Sequence, residues 1–94
     1  MPTFFMFGKY SSRALQSASS ARTRKAEHLI AKFRGKIKDM YALLGEYDLV
    51  IVVELPGFLD ALKVSAGLTK LTGIGFTTSV AIPVNDFDRL LQEV

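Results

Sequence analysis

The chain has 94 residues, which suffices for one domain but not for two. Its 49% apolar and 22% charged residues exclude a disordered chain, and its longest strongly apolar run, 49–53, is much too short to cross a bilayer. The lack of cysteine excludes disulfides, thiolate catalysis and thiolate metal sites. It also fits the cytoplasmic location that we expect.

The net charge of +3 is unevenly distributed along the chain. Up to Lys38 there are nine basic residues and one acid, Glu27, whereas the remainder has three basic residues and eight acids. A basic segment of this kind is typical of a nucleic-acid contact, an import sequence or a solvated helix face. We favour the solvated face, because a strand-like run precedes the segment and no nucleic-acid-binding motif accompanies it. Neither nucleic acid nor a membrane is an expected partner.

The first third of the chain predicts a strand followed by an interrupted helix. The run 3–7 is aromatic and continuous, as in a strand buried on both faces. Ser11 or Ser12 can cap a short helical turn, and the serines within 17–20 predict a break. The helix resumes at Ala21 and is expected to end at Gly35. Its apolar stripe consists of Ala26, Leu29, Ile30 and Phe33.

Two strands are predicted next, at 36–44 and 47–55. The first begins polar and ends apolar, and the second is almost entirely aliphatic. Only Gly45 and Glu46 separate them, which predicts a two-residue hairpin loop in which Gly45 supplies a positive φ.

The last third predicts a helix, a strand and a short terminal helix. After Pro56-Gly57 a helix is expected from Phe58 to about Leu71. The alternating run 74–82 predicts a strand, and Asn85 is expected to cap the terminal helix. The predicted apolar face of the longer helix consists of Phe58, Ala61, Leu62, Ser65 and Leu68.

The order of elements, β-α-β-β-α-β plus a terminal helix, predicts an α+β, ferredoxin-like fold with a four-stranded antiparallel sheet in a single domain, 1–94. In this topology the first and third strands are central, and these are the two continuously apolar strands. The lysines of the second strand and the threonines of the fourth suit the edges of the sheet.

The sheet is also expected to pair with a second copy. Both helices of this fold cover the same face of the sheet, so the other face of a monomer should be polar. Here neither face is polar, because Leu49, Ile51 and Val53 alternate with Val50 and Val52 along one strand, and Phe5 and Phe7 alternate with Phe4 and Met6 along the other. The four strands make a face of roughly 350 Å², an apolar area at the limit of what a monomer leaves exposed. Two sheets facing each other in a dimeric α/β barrel are the simplest symmetric solution.

The hairpin segment Gly45-Glu46-Tyr47-Asp48 resembles the Gly-x-Tyr-Asp signature of the GYD-domain family. The similarity also covers Gly8-Lys9-Tyr10, Gly35-Lys36, Met40-Tyr41 and Leu71-Thr72-Gly73. The resemblance implies a dimeric α/β barrel, and it implies a family whose function is largely uncharacterised.

The same hairpin more distantly resembles the ligand-binding domain of Lrp/AsnC regulators, which have a similar turn beside an effector site at subunit contacts. The resemblance implies that Gly45, Tyr47 and Asp48 are ligand-binding positions, and we add Tyr41 from the preceding strand. The chain has no helix-turn-helix before its first strand. We therefore do not expect a self-contained transcription factor.

Individual residues leave the function open. Asp48 either bonds neighbouring backbone N–H groups, which we favour, or presents a carboxylate to a ligand amine. Tyr47 is expected to be a buried ring with a satisfied hydroxyl. His28, the only histidine, is expected to be a solvated helix residue, because no second metal ligand or orienting carboxylate accompanies it.

These observations favour a non-catalytic dimeric or higher-order module that binds a small metabolite near the hairpin turn or in the barrel. No catalytic residue, metal or cofactor is predicted. The alternative is a small barrel enzyme, monooxygenase- or isomerase-like, and a purely structural assembly subunit is a third hypothesis. An enzyme needs titratable groups that converge in a pocket, and the apolar sheet faces offer few.

Overall fold

A computed structural model describes residues 1–94 and shows four strands in one antiparallel sheet, ordered β2-β3-β1-β4. The predicted α+β, ferredoxin-like class is therefore confirmed, with β1 and β3 at the centre and β2 and β4 at the edges. The elements in chain order are β1 (Thr3–Lys9), α1 (Ser12–Gln16), α2 (Ser20–Lys32), β2 (Lys36–Ala42), β3 (Leu49–Glu54), α3 (Phe58–Thr72), β4 (Gly75–Ala81) and α4 (Val84–Leu91).

The register of the sheet separates its two faces. Met6 is paired with Ile51 on one side and Thr78 on the other, while Phe5 is paired with Val52 and Ser79. Helices α2 and α3 cover the face that carries Met6. The buried core there consists of Phe4, Met6, Ala26, Ile30, Ile51, Val53, Leu55, Ala61, Val64 and Leu68. No helix covers the opposite face, which we call the open face. It carries Phe5, Phe7, Tyr41, Val50 and Val52 at its centre, and the polar residues Asp39, Thr77 and Ser79 on the two edge strands.

The serine caps and the break in the first helical region are confirmed. The Ser11 hydroxyl accepts a hydrogen bond from the Ala14 N–H and caps α1, and the Ser19 hydroxyl accepts one from the Arg22 N–H and caps α2. Two short hydroxyl side chains thus satisfy N–H groups that would otherwise lack partners at the helix starts.

The end of α2 differs in detail from the prediction. Arg34, not Gly35, takes the left-handed conformation, with a φ of 62°. The Gly35 N–H then donates to the Ile30 carbonyl at 2.9 Å and closes the helix. Glycine is required at 35 for space, since an added Cβ would lie 2.6 Å from Ile30 Cγ2 and 2.6 Å from Leu55 Cδ2.

We expect Gly35→Ala to lower the free energy of unfolding by about 1–3 kcal/mol, the usual cost of forcing an extra methyl into a packed core. Gly75→Ala is the matched control, because a Cβ at Gly75 meets nothing within 4 Å. Its expected effect is below about 0.5 kcal/mol. Urea unfolding at one fixed protein concentration measures both changes. Equal stabilities for the two variants would contradict the close packing at Gly35.

Three sequence predictions were wrong. The β2–β3 connection is six residues long, because β2 ends at Ala42 and β3 begins at Leu49. The terminal helix has Pro83 at its N-cap position without a side-chain cap bond, and Asn85 lies inside the helix. The predicted face of α3 is rotated. Its buried residues are Ala61, Val64 and Leu68, whereas Phe58 and Leu62 are exposed.

Helix α4 buries no side chain of its own. It joins β4 through Ile82 and Pro83, and the Arg89 guanidinium pairs with the Asp86 carboxylate one turn away. Its exposed apolar side chains are Val84, Phe87, Leu90 and Leu91. None of the helices in the chain is both long enough and apolar enough to span a bilayer.

Candidate functional site

The loop 43–48 is closed by backbone hydrogen bonds and held against β1. The Leu43 N–H donates to the Asp48 carbonyl at 2.9 Å, and the Asp48 N–H donates to the Gly8 carbonyl at 2.9 Å. Gly45 has the expected positive φ, 157°, and is exposed in this loop. A Cβ added at this glycine would have no atom within 4 Å. The glycine therefore shapes the loop and leaves open space beside it.

Asp48 connects this loop to the segment between β1 and α1. Its Oδ2 atom accepts a hydrogen bond from the Tyr10 N–H at 2.8 Å, across 38 positions of sequence. The half-buried carboxylate makes no second hydrogen bond and no ion pair. One oxygen thus has a structural partner, and the other remains available to a donor.

A cavity of about 390 Å³ lies next to this carboxylate. Its volume falls within the range of small-molecule sites, roughly 300–1,000 Å³. Hydroxyl, carboxylate and apolar groups all contribute, so its chemistry suits a ligand with both polar and apolar parts. The lining residues are Tyr10, Ser11, Ser12, Leu15, Ala42, Leu43 and Asp48.

The other predicted site residues lie away from this cavity. The Tyr47 ring packs on the open-face residue Phe7, with ring centroids 5.2 Å apart. Tyr41 is paired with Val50 on the same open face and is 54% exposed. Tyr47 is only half-buried, and its hydroxyl makes no hydrogen bond within the chain. The structure therefore places Asp48 at the cavity and the two tyrosines at the open face.

Sequence reasoning missed the role of Arg22. We had grouped it with the solvated basic residues of the helix, yet its guanidinium donates to the Ala14 carbonyl and lies 5.8 Å from the centroid of the Tyr10 ring. It is half-buried and has no acidic partner. Arg22 thus links α2 to α1 and to Tyr10, and Tyr10 lines the cavity.

Groups suited to catalysis do not converge in the cavity. His28 is exposed on α2, as expected, and does not line the cavity. Asp48 is the only carboxylate among the lining residues. Histidine and acidic side chains nowhere form a group of three or more that could hold a metal ion.

Solved structures share this fold. FFRP-DM1 is 25% identical, with a TM-score of 0.57, and the match covers 87% of this chain and 100% of that one. An AsnC family transcriptional regulator from Agrobacterium tumefaciens is 14% identical, with a TM-score of 0.58. The leucine response regulatory protein LrpA of Mycobacterium tuberculosis is 8% identical, also with a TM-score of 0.58. The last two likenesses concern the fold alone.

The two regulators are longer proteins. Each match covers 87% of this chain but only 50% of the Agrobacterium regulator and 51% of LrpA, so this chain spans about half their length. No curated protein matches the sequence. The family model of the GYD domain matches residues 4–91, nearly the whole chain. The match includes all but the first residue of β1, the loop that carries Asp48 and the whole of α4, and the chain therefore belongs to the GYD-domain family.

Proposed function

We propose that this GYD-domain protein is a non-catalytic homodimeric module that binds a small metabolite beside the 43–48 loop. One observation carries this proposal: Asp48 lines an open cavity of about 390 Å³, and only one of its two carboxylate oxygens has a hydrogen-bond partner in the chain. A binding site needs a shaped cavity and one or two polar anchors, and this cavity has both. The likeness to regulator domains supports a small regulatory or binding-type module.

The chemistry of the cavity favours a ligand that carries an amine. A carboxylate accepts hydrogen bonds and attracts a positive charge, and the adjacent Ser12 hydroxyl can either donate or accept. Leu15 and Leu43 supply apolar contacts for the rest of the molecule. Asp48 would therefore hold two partners at once, the Tyr10 N–H through Oδ2 and the ligand amine through Oδ1.

Dimerisation through the open face is supported by the side chains that the helices leave uncovered. Phe5, Phe7 and Val52 remain partly exposed in the single chain, beside the exposed Tyr41. An apolar face of this size is at the limit of what a monomer leaves in water. Helix α4 adds further exposed apolar side chains, so together they approach the roughly 800 Å² per partner of a standard interface.

The second candidate is a small barrel enzyme. The chain also has a groove of about 440 Å³ on the helix-covered side, outside the barrel, between α3 and β4, where the Thr78 hydroxyl donates to the Ser65 hydroxyl at 3.3 Å among apolar side chains. However, no ionisable side chain lines this groove, so it offers no general acid or base. Binding therefore remains the preferred function, in the cytoplasmic compartment that the composition suggests.

Native mass spectrometry of freshly purified protein tests this proposal. We expect a dimer that carries a reproducible extra mass below about 1 kDa, the size class that such a cavity accommodates. Tandem fragmentation of that mass should reveal an amine. An empty dimer after purification under several growth conditions would contradict the binding function, while a dimer that turns over candidate substrates would support the enzyme.

We expect Asp48→Ala to remove the extra mass while lowering the free energy of unfolding by only about 1–2 kcal/mol, the usual cost of losing one charge-assisted hydrogen bond. Glu46→Ala is the matched control, because Glu46 is an exposed acid of the same loop and does not line the cavity. It should retain the ligand at wild-type stability. Ligand retention by the folded Asp48 variant would show that Asp48 is only a structural residue.

A further inference from the structure

A second candidate site lies on the outer surface, in a cleft between α2 and α3. Three residues of α2 and one of α3 bring basic side chains to this cleft: Lys25, His28, Lys32 and Lys70. The cleft is a shallow, wide-open depression of about 510 Å³ whose four basic residues are exposed, and it shares no residue with the cavity beside Asp48. Sequence reasoning treated the basic residues of α2 as a solvated face and could not see that α3 adds a fourth basic group.

The positions of these residues concentrate positive charge. Lys25, His28 and Lys32 follow the i, i+3, i+7 spacing of one helix stripe, whereas Glu27 falls on the opposite side of α2. No acidic side chain lines the cleft. The two ion pairs of the chain, Lys38 with Glu54 and Arg89 with Asp86, do not involve it. Three lysine charges therefore repel one another there without a counter-charge.

The floor of the cleft is apolar and close-packed. Leu29 and Leu71 line it, and Gly67 allows α3 to approach α2, since a Cβ at Gly67 would lie 3.0 Å from Leu29 Cδ2. A ligand in this cleft would thus meet ammonium groups at the rim and leucine side chains below. That combination suits an organic anion with several charged groups and an apolar body.

We propose that this cleft binds a small ligand that carries several linked phosphates, such as a nucleoside triphosphate. Lysine ammonium groups are compact point charges and common partners of phosphate. Lys25 and Lys32 are seven residues apart on α2, a span of about 10 Å. A chain of linked phosphates can offer an anionic group to each of these lysines at the same time. The base or another apolar part would lie on Leu29 and Leu71.

The location of the cleft keeps it accessible in the proposed dimer. Helices α2 and α3 lie on the side of the sheet opposite the open face, so two paired sheets would leave both clefts outward. Occupancy of the cleft therefore does not depend on the ligand beside Asp48. The two sites can be tested separately.

Isothermal titration calorimetry on the full chain at about 50 mM salt provides the test, because low salt preserves surface electrostatics. The probes are ATP and inorganic tripolyphosphate, with citrate as a carboxylate of similar charge. We expect both phosphate probes to bind and to compete with each other, and citrate to bind at least about tenfold more weakly. The double variant Lys25→Gln/Lys32→Gln should weaken ATP binding about tenfold, as expected for the loss of two exposed charge pairs at low salt.

Lys63→Gln is the matched control, since it removes the same charge from α3 but does not line the cleft. Its ATP affinity should stay within about twofold of the wild type. The proposal is overturned if neither phosphate probe binds, if the double variant binds ATP as well as Lys63→Gln does, or if citrate matches tripolyphosphate. Binding of an oligonucleotide without binding of ATP would overturn it in favour of nucleic acid.

Discussion

Replacing Val52 with aspartate is expected to convert the proposed dimer into a monomer. Val52 lies at the centre of the open face, paired with Phe5 on β1 and Asp39 on β2. A carboxylate there would be buried without a partner in a sheet-to-sheet interface, at a cost of about 3–5 kcal/mol, or more than a hundredfold in the dimer dissociation constant. Light scattering during gel filtration should give the 10.4 kDa of one chain instead of twice that mass.

Two further variants, Val52→Lys and Ala66→Asp, distinguish a loss of association from a local effect of the new charge. Val52→Asp also places like charges opposite each other, because Asp39 lies directly across, whereas Val52→Lys pairs with Asp39 favourably. Val52→Asp should therefore dissociate more completely than Val52→Lys, because only the aspartate would be buried without a partner. Ala66→Asp, on the exposed surface of α3, should remain dimeric. A wild-type chain that is monomeric, or a dimer that survives both Val52 variants, would exclude the open face as the interface.

The second large effect is expected at Leu68, which is fully buried (0% exposed) between α3 and the sheet. Leu68→Ala removes three buried heavy atoms and leaves a cavity, so it should lower the free energy of unfolding by about 2–5 kcal/mol. Leu62→Ala makes the same chemical change on the same helix, at a position that is 57% exposed. Its expected cost is below about 1 kcal/mol.

Urea denaturation followed by circular dichroism compares the two leucine variants at one protein concentration, because dimer stability depends on concentration. The sequence pattern assigned both leucines to one buried face. Similar losses at Leu62 and Leu68 would support that original assignment over the observed rotation of α3. A large loss at Leu62 alone, seen only above the dimer dissociation constant, would show that the groove beside it is an interface.

The sheet order was predictable because a strand that is buried on both faces has apolar residues at nearly every position. The strands β1 and β3 are apolar at almost every position, and both are central. The loop length was not predictable in the same way. Leu43 and Leu44 extend the apolar pattern of β2, yet Leu44 is fully exposed and Leu43 closes a loop onto Asp48. An apolar sequence pattern alone does not show at which residue the backbone hydrogen bonds between two strands end.

The contacts at the candidate site join distant parts of the chain and therefore leave no local signal. The hydrogen bond between the Asp48 carboxylate and the Tyr10 N–H spans 38 positions, and Arg22 reaches back to Ala14 and Tyr10. The family resemblance indicated the loop, but it implied that Tyr47 and Asp48 belong to the same ligand-binding site. In the structure the Tyr47 ring packs on Phe7 of the open face, whereas the Asp48 carboxylate accepts a hydrogen bond from the Tyr10 N–H beside the cavity.

Hydroxyl-radical footprinting at two protein concentrations tests the central claim most directly, because it reports which face is covered. Tyr41 marks the open face, and Phe58, 73% exposed, marks the helix-covered side. Open-face pairing predicts that Tyr41 and Phe5 lose reactivity as the dimer forms, while Phe58 stays reactive. Protection of Phe58 together with an unchanged Tyr41 would contradict the paired sheets and place the interface at the groove beside α3.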